Sequence, residues 1–146
     1  MELNNYIIAP VGIPFIDYLW DKIEPILQRA VEKGNNEITC HSVKQRALQG
    51  DCLICSILKD NEIIAIATTE VRTFDSGHQA LYIPIMAGNE LEQWGHQFFD
   101  YACLIAKEFN ITELRATGRK GWQKKLNGAG LPFEEITTVI SCKIGG

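Results

Sequence analysis

Apolar residues recur at intervals of three and four along residues 90–109, a spacing that predicts one long amphipathic helix. The apolar stripe consists of Leu91, Trp94, Phe98, Ala102, Ile105 and Phe109. Asn89 suits the N-cap, Glu92 follows three residues later as in a capping box, and Asn110 suits the left-handed residue that ends a helix. Because such a helix buries one face only, we expect it to pack on a sheet.

Six segments have strand patterns, at residues 5–11, 52–58, 62–74, 79–86, 111–117 and 133–144. The polar turn at residues 59–61 predicts that the second and third strands form an antiparallel hairpin. The strands before and after the long helix make a βαβ unit, in which two strands are normally parallel. Alternation assigns Leu81, Ile83 and Ile85 to one face of the fourth strand, and Pro84 within it predicts a sheet edge or a β-bulge.

Three shorter stretches have helical patterns. Residues 15–33 have helical spacing, but Pro25 removes a backbone donor, so we predict a kink or two short helices there. Ser42 resembles a cap for a helix at residues 43–49. A third short helix follows the fifth strand, with glycine at both ends.

These elements predict an α/β (α+β) fold in a single domain over residues 1–146, with a mixed, mainly antiparallel sheet flanked by helices. We place the 90–109 helix on one face of the sheet and the N-terminal helices on the other face or at the edge. The predicted core consists of Leu53, Ile57, Ile64, Ile66, Leu81, Ile83, Leu91, Trp94, Phe98, Ile105, Phe109, Leu114, Leu126, Ile136 and Ile140.

The charge of the chain narrows the range of partners. Its 146 residues carry 14 Lys and Arg against 18 Asp and Glu, a net charge of −4. This balance argues against a general nucleic-acid or anionic-membrane binder. No apolar run is long enough for a membrane span, and the N-terminus lacks the layout of a secretory signal. We therefore expect a non-secreted protein.

The cysteines and histidines predict no metal site. Cys52 and Cys55 form the only C-x-x-C pair, but residues three apart in a strand face opposite sides of a sheet. We interpret both as reduced core thiols. The histidines and carboxylates show no metal-ligand spacing.

The order of elements is strand, two helices, three antiparallel strands, long helix, strand, short helix and strand. This order resembles the GNAT acyltransferase fold over residues 5–144. The resemblance implies a sheet that splays apart after its fourth strand, around residues 84–88, to form a cleft for acyl-coenzyme A. A closer local likeness, GNELEQW at residues 88–94 and GRKGW at residues 118–122, is similar to GNAT-like proteins encoded among phage head and tail genes.

The resemblance also implies where a coenzyme would bind. In active members the turn before the long helix has the form Q/R-x-x-G-x-G/A, whose backbone amides cradle the pyrophosphate at the helix N-terminus. Acetyl-coenzyme A would then contact Ile85, Ala87, Gly88, Asn89, Thr117 and Arg119. Here Glu90 and Glu92 place negative charge at that helix end, where they stabilise the empty helix and oppose a phosphate group. The sequence thus favours an ordinary acidic first turn over a coenzyme cradle.

The catalytic groups that the resemblance implies are only partly present. Many members carry a tyrosine in the short helix as general acid, but the matching position is Leu126, which has no proton to donate. Glu70 in the third strand is the candidate catalytic carboxylate. Its alternative role is that of a solvent-facing strand residue beside Arg72.

A cluster of basic residues follows the fifth strand. We predict a partner-binding site formed by Arg115, Arg119, Lys120, Trp122 and Lys124, because arginine and tryptophan are favoured interface anchors. The alternative is a solvated basic face with Trp122 covering the core. Since parallel strands end at the same sheet edge, Arg119 or Lys120 should form a salt bridge with Glu90 or Glu92.

Two functional classes remain open. The first, favoured by the acidic turn and the missing acid, is a catalytically silent module of a phage particle or its assembly pathway. Such a module would bind other protein subunits, need no cofactor, and lie in the cytoplasm or the virion. The second is an acetyl-coenzyme A-dependent N-acetyltransferase with a diverged pyrophosphate loop.

Overall fold

One five-stranded sheet organises residues 5–34, 37–117, 122–128 and 130–145, which the computed structural model describes. Its strands are β1 (Tyr6–Val11), β2 (Leu53–Lys59), β3 (Glu62–Thr73), β4 (Gln79–Gly88) and β5 (Leu114–Ala116). They lie in chain order, with the first four antiparallel and β5 parallel to β4. The mixed, mainly antiparallel sheet and the hairpin at residues 59–61 are therefore confirmed.

Helices cover both faces of this sheet. They are a 3-10 turn at Ile13–Phe15, α1 (Ile16–Glu32), α2 (Cys40–Leu48), α3 (Leu91–Glu108) and α4 (Trp122–Gly128). α1 and α2 bury their apolar residues against one face, and α3 and α4 bury theirs against the other. Cys52 and Cys55 pack into different layers, as expected of two thiols on opposite faces. No helix in the described part of the chain is long and apolar enough to span a membrane.

The predicted stripe of α3 forms most of its buried face. Trp94, Phe98 and Ala102 are buried, and Asn110 has the left-handed conformation that ends the helix, with φ 57°. The prediction for Phe109 was wrong, because the helix ends at Glu108 and the Phe109 side chain is 55% exposed. The last buried residue of the stripe is instead Ala106, one turn earlier.

The two N-terminal helices differ from the prediction in detail. α1 runs unbroken through Pro25, so the alternative of two short helices was wrong. The proline lies on the solvent face, where water can hydrate the carbonyl that loses its partner. α2 begins three residues earlier than predicted, because Thr39 rather than Ser42 is its N-cap and the two side chains form a reciprocal capping box.

The predicted last strand is absent from the described residues. Residues 131–145 form no strand, although their apolar residues alternate as predicted. The core assignments of Ile136 and Ile140 were therefore wrong, since these side chains are 59% and 90% exposed. Alternation alone does not form a strand; a segment also needs a neighbouring edge to supply its backbone hydrogen bonds.

Candidate functional site

A β-bulge in β4 opens the sheet at the place where the fold's resemblance locates a cleft. Between two paired positions, Thr68 opposite Ile85 and Glu70 opposite Tyr82, β4 contains one residue more than β3. Pro84 is one of the two β4 residues between these paired positions, so the predicted bulge is confirmed.

The bulge has two consequences for β4. Pairing with β5 extends only to Ile83, so the outer edge of β4 from residue 84 to residue 88 has no strand partner among the described residues. The bulge also reverses the faces of the strand: Leu81 and Ile83 lie in the α3 layer, whereas Ile85 and Ala87 lie in the α1 and α2 layer. The prediction that Ile85 shares a face with Leu81 was therefore wrong.

A carboxylate of the chain itself lies at the N-terminus of α3. The N-cap residue is Glu90, not Asn89, and its backbone has left-handed φ 64° and ψ 33° without a side-chain capping bond. The Tyr6 hydroxyl donates to Glu90 Oε1 at 2.8 Å, and Lys59 Nζ lies 2.9 Å from the same oxygen. The pKa of Glu90 is held below its usual value, mainly by the hydrogen bond from Lys59 and next by the hydrogen bond from Tyr6.

The β4–α3 turn keeps part of the geometry of a pyrophosphate loop. In the Q/R-x-x-G-x-G/A form, Gly88 takes the first glycine position and Glu90 the last. Gly88 has φ 112°, and a Cβ there would lie 2.5 Å from the Ile64 carbonyl oxygen. The absence of a side chain at Gly88 therefore allows β4 to approach β3 closely. Glu90 retains a backbone conformation that favours glycine, but places a carboxylate where an anion would have to bind.

The α3 side of the opening is closed by residues from α4 and the segment after it. Leu126 and Leu131 are both 3% exposed and pack on α3, where the Leu131 side chain lies beside Gly95. Phe133 stacks edge-on against Phe99, with ring centroids 6.0 Å apart. The apolar cavity that remains measures about 10 Å³, room for one water at most. It has no space for the pantetheine arm of a coenzyme.

An ion pair crosses from α3 to α4 at the mouth of this closed cleft. Lys125 Nζ lies 3.6 Å from Glu92 Oε1. Lys125 is not one of the two predicted cations, so the predicted salt bridge stays a prediction. The predicted partners Arg119 and Lys120 lie outside the described residues.

The opposite face of the bulge carries a polar cluster around Glu70. The Glu70 side chain is 8% exposed, which excludes the solvent-facing alternative. Its carboxylate lies 2.6 Å from Arg46 Nη2 and 3.2 Å from Arg72 Nε. The Arg72 guanidinium stacks on the Tyr82 ring at 3.7 Å, and the Tyr82 hydroxyl hydrogen-bonds the Thr117 hydroxyl. Two predicted site residues, Glu70 and Thr117, therefore meet through one network.

Two of the predicted partner-binding residues, Arg115 and Lys124, have described side chains. Arg115 is half-buried, pairs with Glu113 at 3.0 Å and stacks on Phe74 at 4.6 Å, so its charge is used inside the fold. Lys124 is exposed on α4. Trp122 begins α4, and its side chain lies outside the described part of the structure.

A contact between a histidine and a carboxylate at the start of β4 was not predicted. His78 Nε2 lies 2.7 Å from Glu113 Oε1, and this contact, with Arg115, lowers the pKa of Glu113. Within the described ranges, no three histidine, cysteine or carboxylate side chains are grouped as metal ligands.

Sequence reasoning missed the residues that neutralise Glu90 and Glu70. Tyr6 is 84 residues from Glu90, and Arg46 belongs to a different element from Glu70. No local spacing signals such pairs. The available signal was topological: once the strand order and directions are known, the start of β1, the end of β2 and the start of α3 lie at the same end of the sheet.

Known structures resemble this fold along almost the whole chain. An aminoglycoside acetyltransferase from an uncultured soil metagenomic sample matches with a TM-score of 0.69 and 15% identity, covering 97% of this chain and 98% of that one. A predicted acetyltransferase from Clostridium acetobutylicum, solved with acetyl-CoA, matches with a TM-score of 0.65 and 15% identity, covering 94% and 96%. A GNAT family acetyltransferase from Staphylococcus aureus matches with a TM-score of 0.63 and 10% identity, covering 96% and 99%.

Sequence comparison adds no closer relative. No family model matches the chain, and no curated protein matches it. At 10–15% identity the structural matches show the fold alone. The chain is thus a single-domain α+β protein with the GNAT acetyltransferase fold.

Proposed function

We propose that this chain is a catalytically silent protein with the GNAT fold, which binds other protein subunits and uses its own side chains where an enzyme would hold a coenzyme. The observation that carries this proposal is the carboxylate of Glu90 at the start of α3, held there by Tyr6 and Lys59. A helix N-terminus that already carries an anion opposes a second one.

The closed cleft supports the same proposal. Acetyl-coenzyme A does not fit the residues present, because Leu126, Leu131 and Phe133 leave about 10 Å³ between α3, α4 and β4. The candidate acid position holds Leu126, which is buried and without a proton to donate. The carboxylate of Glu70 is paired with two arginines rather than free to accept a proton.

The biological setting is the further step of this proposal. The local likeness of residues 88–94 and 118–122 to GNAT-like proteins of phage head and tail genes supports a role in a phage particle or its assembly. Exposed Lys124 on α4 supplies one residue of the proposed subunit-binding surface.

A second candidate is an acetyl-coenzyme A-dependent N-acetyltransferase. It is favoured by the bulge at Pro84, which separates β5 from the outer half of β4 as an acyl-coenzyme cleft requires. The polar face of the bulge adds a buried hydroxyl, Thr68 Oγ1, with no hydrogen-bond partner among the described residues. The solved proteins of the same fold are acetyltransferases.

Titration with acetyl-coenzyme A separates the two candidates. Ligand at a hundredfold excess over its dissociation constant would stabilise a binding protein by about 2.7 kcal/mol. The silent module should show no shift of melting temperature with acetyl-coenzyme A and no calorimetric heat of binding. A shift with acetyl-coenzyme A and none with a matched adenine nucleotide would overturn the proposal in favour of the enzyme.

A double variant, Glu90→Gln with Glu92→Gln, tests why binding fails. If only charge keeps the coenzyme out, calorimetry on this variant should detect new binding. If the filled cleft excludes the ligand as well, the variant should remain silent, and we expect this second result because removing the charge leaves the second obstacle in place. Lys125 loses its Glu92 partner in the same variant, so a melting curve without ligand provides the reference.

A further inference from the structure

The sheet face that carries Glu70 extends toward the beginning of β4, where it is open to solvent. Residues two apart on a strand share a face, and paired residues on neighbouring strands lie side by side. The register pairs Arg72 with Ala80, and Tyr82 with both Glu70 and Arg115. We call this surface the arginine face. Its principal side chains are those of Glu70, Arg72, Phe74, His78, Tyr82 and Arg115.

Two arginines of this face are held against aromatic rings. The Arg72 guanidinium lies 3.7 Å from the centroid of the Tyr82 ring, and the Arg115 guanidinium lies 4.6 Å from that of Phe74. The His78 ring also stacks on Phe74, with the two planes 14° apart. Stacking orients these side chains before a partner arrives, so fewer rotamers are lost when one binds.

Arg72 carries positive charge that is only partly balanced. Arg46 and Arg72 share one carboxylate, that of Glu70. Arg46 also interacts with the Asp51 carboxylate, whereas Glu70 is the one carboxylate paired with Arg72 among the described residues. That pair is made through Arg72 Nε, at 3.2 Å. Because a guanidinium has five N–H donors, Arg72 keeps donors for a second carboxylate.

The Arg72 side chain is also accessible to a partner. It is 42% exposed, and the His78 side chain beside it is 46% exposed. The chain as a whole has a net charge of −4. An acidic partner is therefore repelled by most of the surface and attracted by an unbalanced arginine, and this contrast selects where such a partner binds.

We propose that the arginine face binds an acidic segment of a partner subunit, with a carboxylate of that segment held by Arg72. This inference rests on the proposed function, and it gives the subunit-binding surface a place and its partner a charge. Arginine and tyrosine are enriched among the residues that dominate interface energies. Arg115, whose charge is balanced by Glu113, orients Phe74 beside this contact.

Two synthetic peptides test the charge of the partner. One is a short peptide with glutamate at alternate positions and threonine between them, and its control has lysine in place of each glutamate. Fluorescence anisotropy with the full chain should detect binding of the glutamate peptide, which weakens as salt screens the exposed charges. The lysine peptide should bind more weakly. No binding of the glutamate peptide at about 1 mM, or equal binding of both peptides, would overturn the proposal.

Variants of Arg72 test the residue that holds the carboxylate. Arg72→Ala should weaken binding of the glutamate peptide by about tenfold or more, because a charged hydrogen-bonded contact is lost. Arg72→Lys keeps the charge without the planar fork and should restore only part of the affinity. The control Arg29→Ala removes the same charge from the exposed surface of α1 and should leave the affinity unchanged. Equal weakening by the two alanine variants would overturn the assignment to this face. Melting curves establish that each variant is folded.

Amide chemical shifts of the isotope-labelled chain locate the bound peptide. The glutamate peptide should shift the signals of residues 70–74, 78–82 and 113–116. Shifts centred instead on α4, around Lys124, would overturn this inference and leave the proposed subunit binding in place. Failure of the proposed function has a different readout, because it would appear as binding of acetyl-coenzyme A rather than as loss of peptide binding.

Discussion

Glu90 shows how one residue can combine strain with stabilising contacts. Its backbone is in the left-handed region that favours glycine, while its carboxylate accepts from Tyr6 and Lys59. The contacts link the start of α3 to β1 and to the end of β2. The strained backbone belongs to one residue, but the contacts of its carboxylate join elements from three parts of the chain.

Stability should depend on the ionisation of Glu90. Its pKa in the folded chain is lowered, so its contribution is complete above the usual carboxyl range and is lost as pH falls through the folded value. Glu90→Gln should therefore unfold at lower urea than the wild type at pH 7, and the difference should shrink below about pH 4. The exposed Glu37→Gln serves as control. A Glu90→Gln difference that is the same at both pH values would contradict the assignment.

Glu70 should contribute through its two arginines. Glu70→Ala leaves Arg46 and Arg72 close together without their shared anion, and should lower the free energy of unfolding by about 1–3 kcal/mol. Because the three side chains form one network, Glu70→Ala combined with Arg46→Ala should cost less than the sum of the single changes. Urea unfolding of the four proteins measures this coupling. Strict additivity would show that the 2.6 Å contact does not stabilise the fold.

At the scale of elements, the junction between β4 and α3 depends on Gly88. A methyl group there would lie 2.5 Å from the Ile64 oxygen and 2.6 Å from the Ala65 Cα, on a backbone with positive φ. Gly88→Ala should lower the free energy of unfolding by more than about 2 kcal/mol. Gly128→Ala is the matched control, because a methyl group there meets nothing within 4 Å. Equal stability of the two variants would rule out the close approach of β4 to β3.

Periodicity predicted the elements better than their details. The first five strands and the α3 stripe as far as Ile105 depend on patterns that extend over many residues, and they are confirmed. The reversal of faces at Ile85 was invisible, because both layers bury residues: Leu81 and Ile83 are buried in one, Ile85 and Ala87 in the other. The sequence therefore alternates through the bulge as if it were absent.

The candidate site was less accessible to sequence reasoning than the fold. The motif form identified Gly88 and the acidic turn, and Glu70 was recognised as a carboxylate on the right strand. The groups that determine their chemistry are distant in the chain, and caps depend on backbone torsion angles. Asn89 was a reasonable cap by residue type, yet its carbonyl accepts from Trp94 Nε1 at 2.7 Å and Glu90 takes the cap position.

At the scale of the whole molecule, two apolar layers enclose one sheet. The labelling rates of the cysteines measure how often this core unfolds. Burial raises the pKa of the Cys55 thiol to about 12, whereas Cys142 lies exposed near the C-terminal end of the described residues. A thiol reagent at neutral pH should label Cys142 quickly and Cys55 only at the rate of global unfolding. Mass spectrometry after timed quenching resolves the two sites. Rapid native labelling of Cys55 would indicate a loose core.

The left-handed backbone of Glu90 also bears on how such a protein changes over generations. Replacing this residue by glycine would relieve the torsional strain and remove the carboxylate in one step, without rebuilding the turn. The path between a self-capped helix and one that accepts an anion is therefore short at this end of the cleft. At the closed end of the cleft this path is long, because the side chains of Leu126, Leu131 and Phe133 would all have to move out of the cleft. Opening a pocket in this fold would therefore take more substitutions than restoring an anion-binding turn.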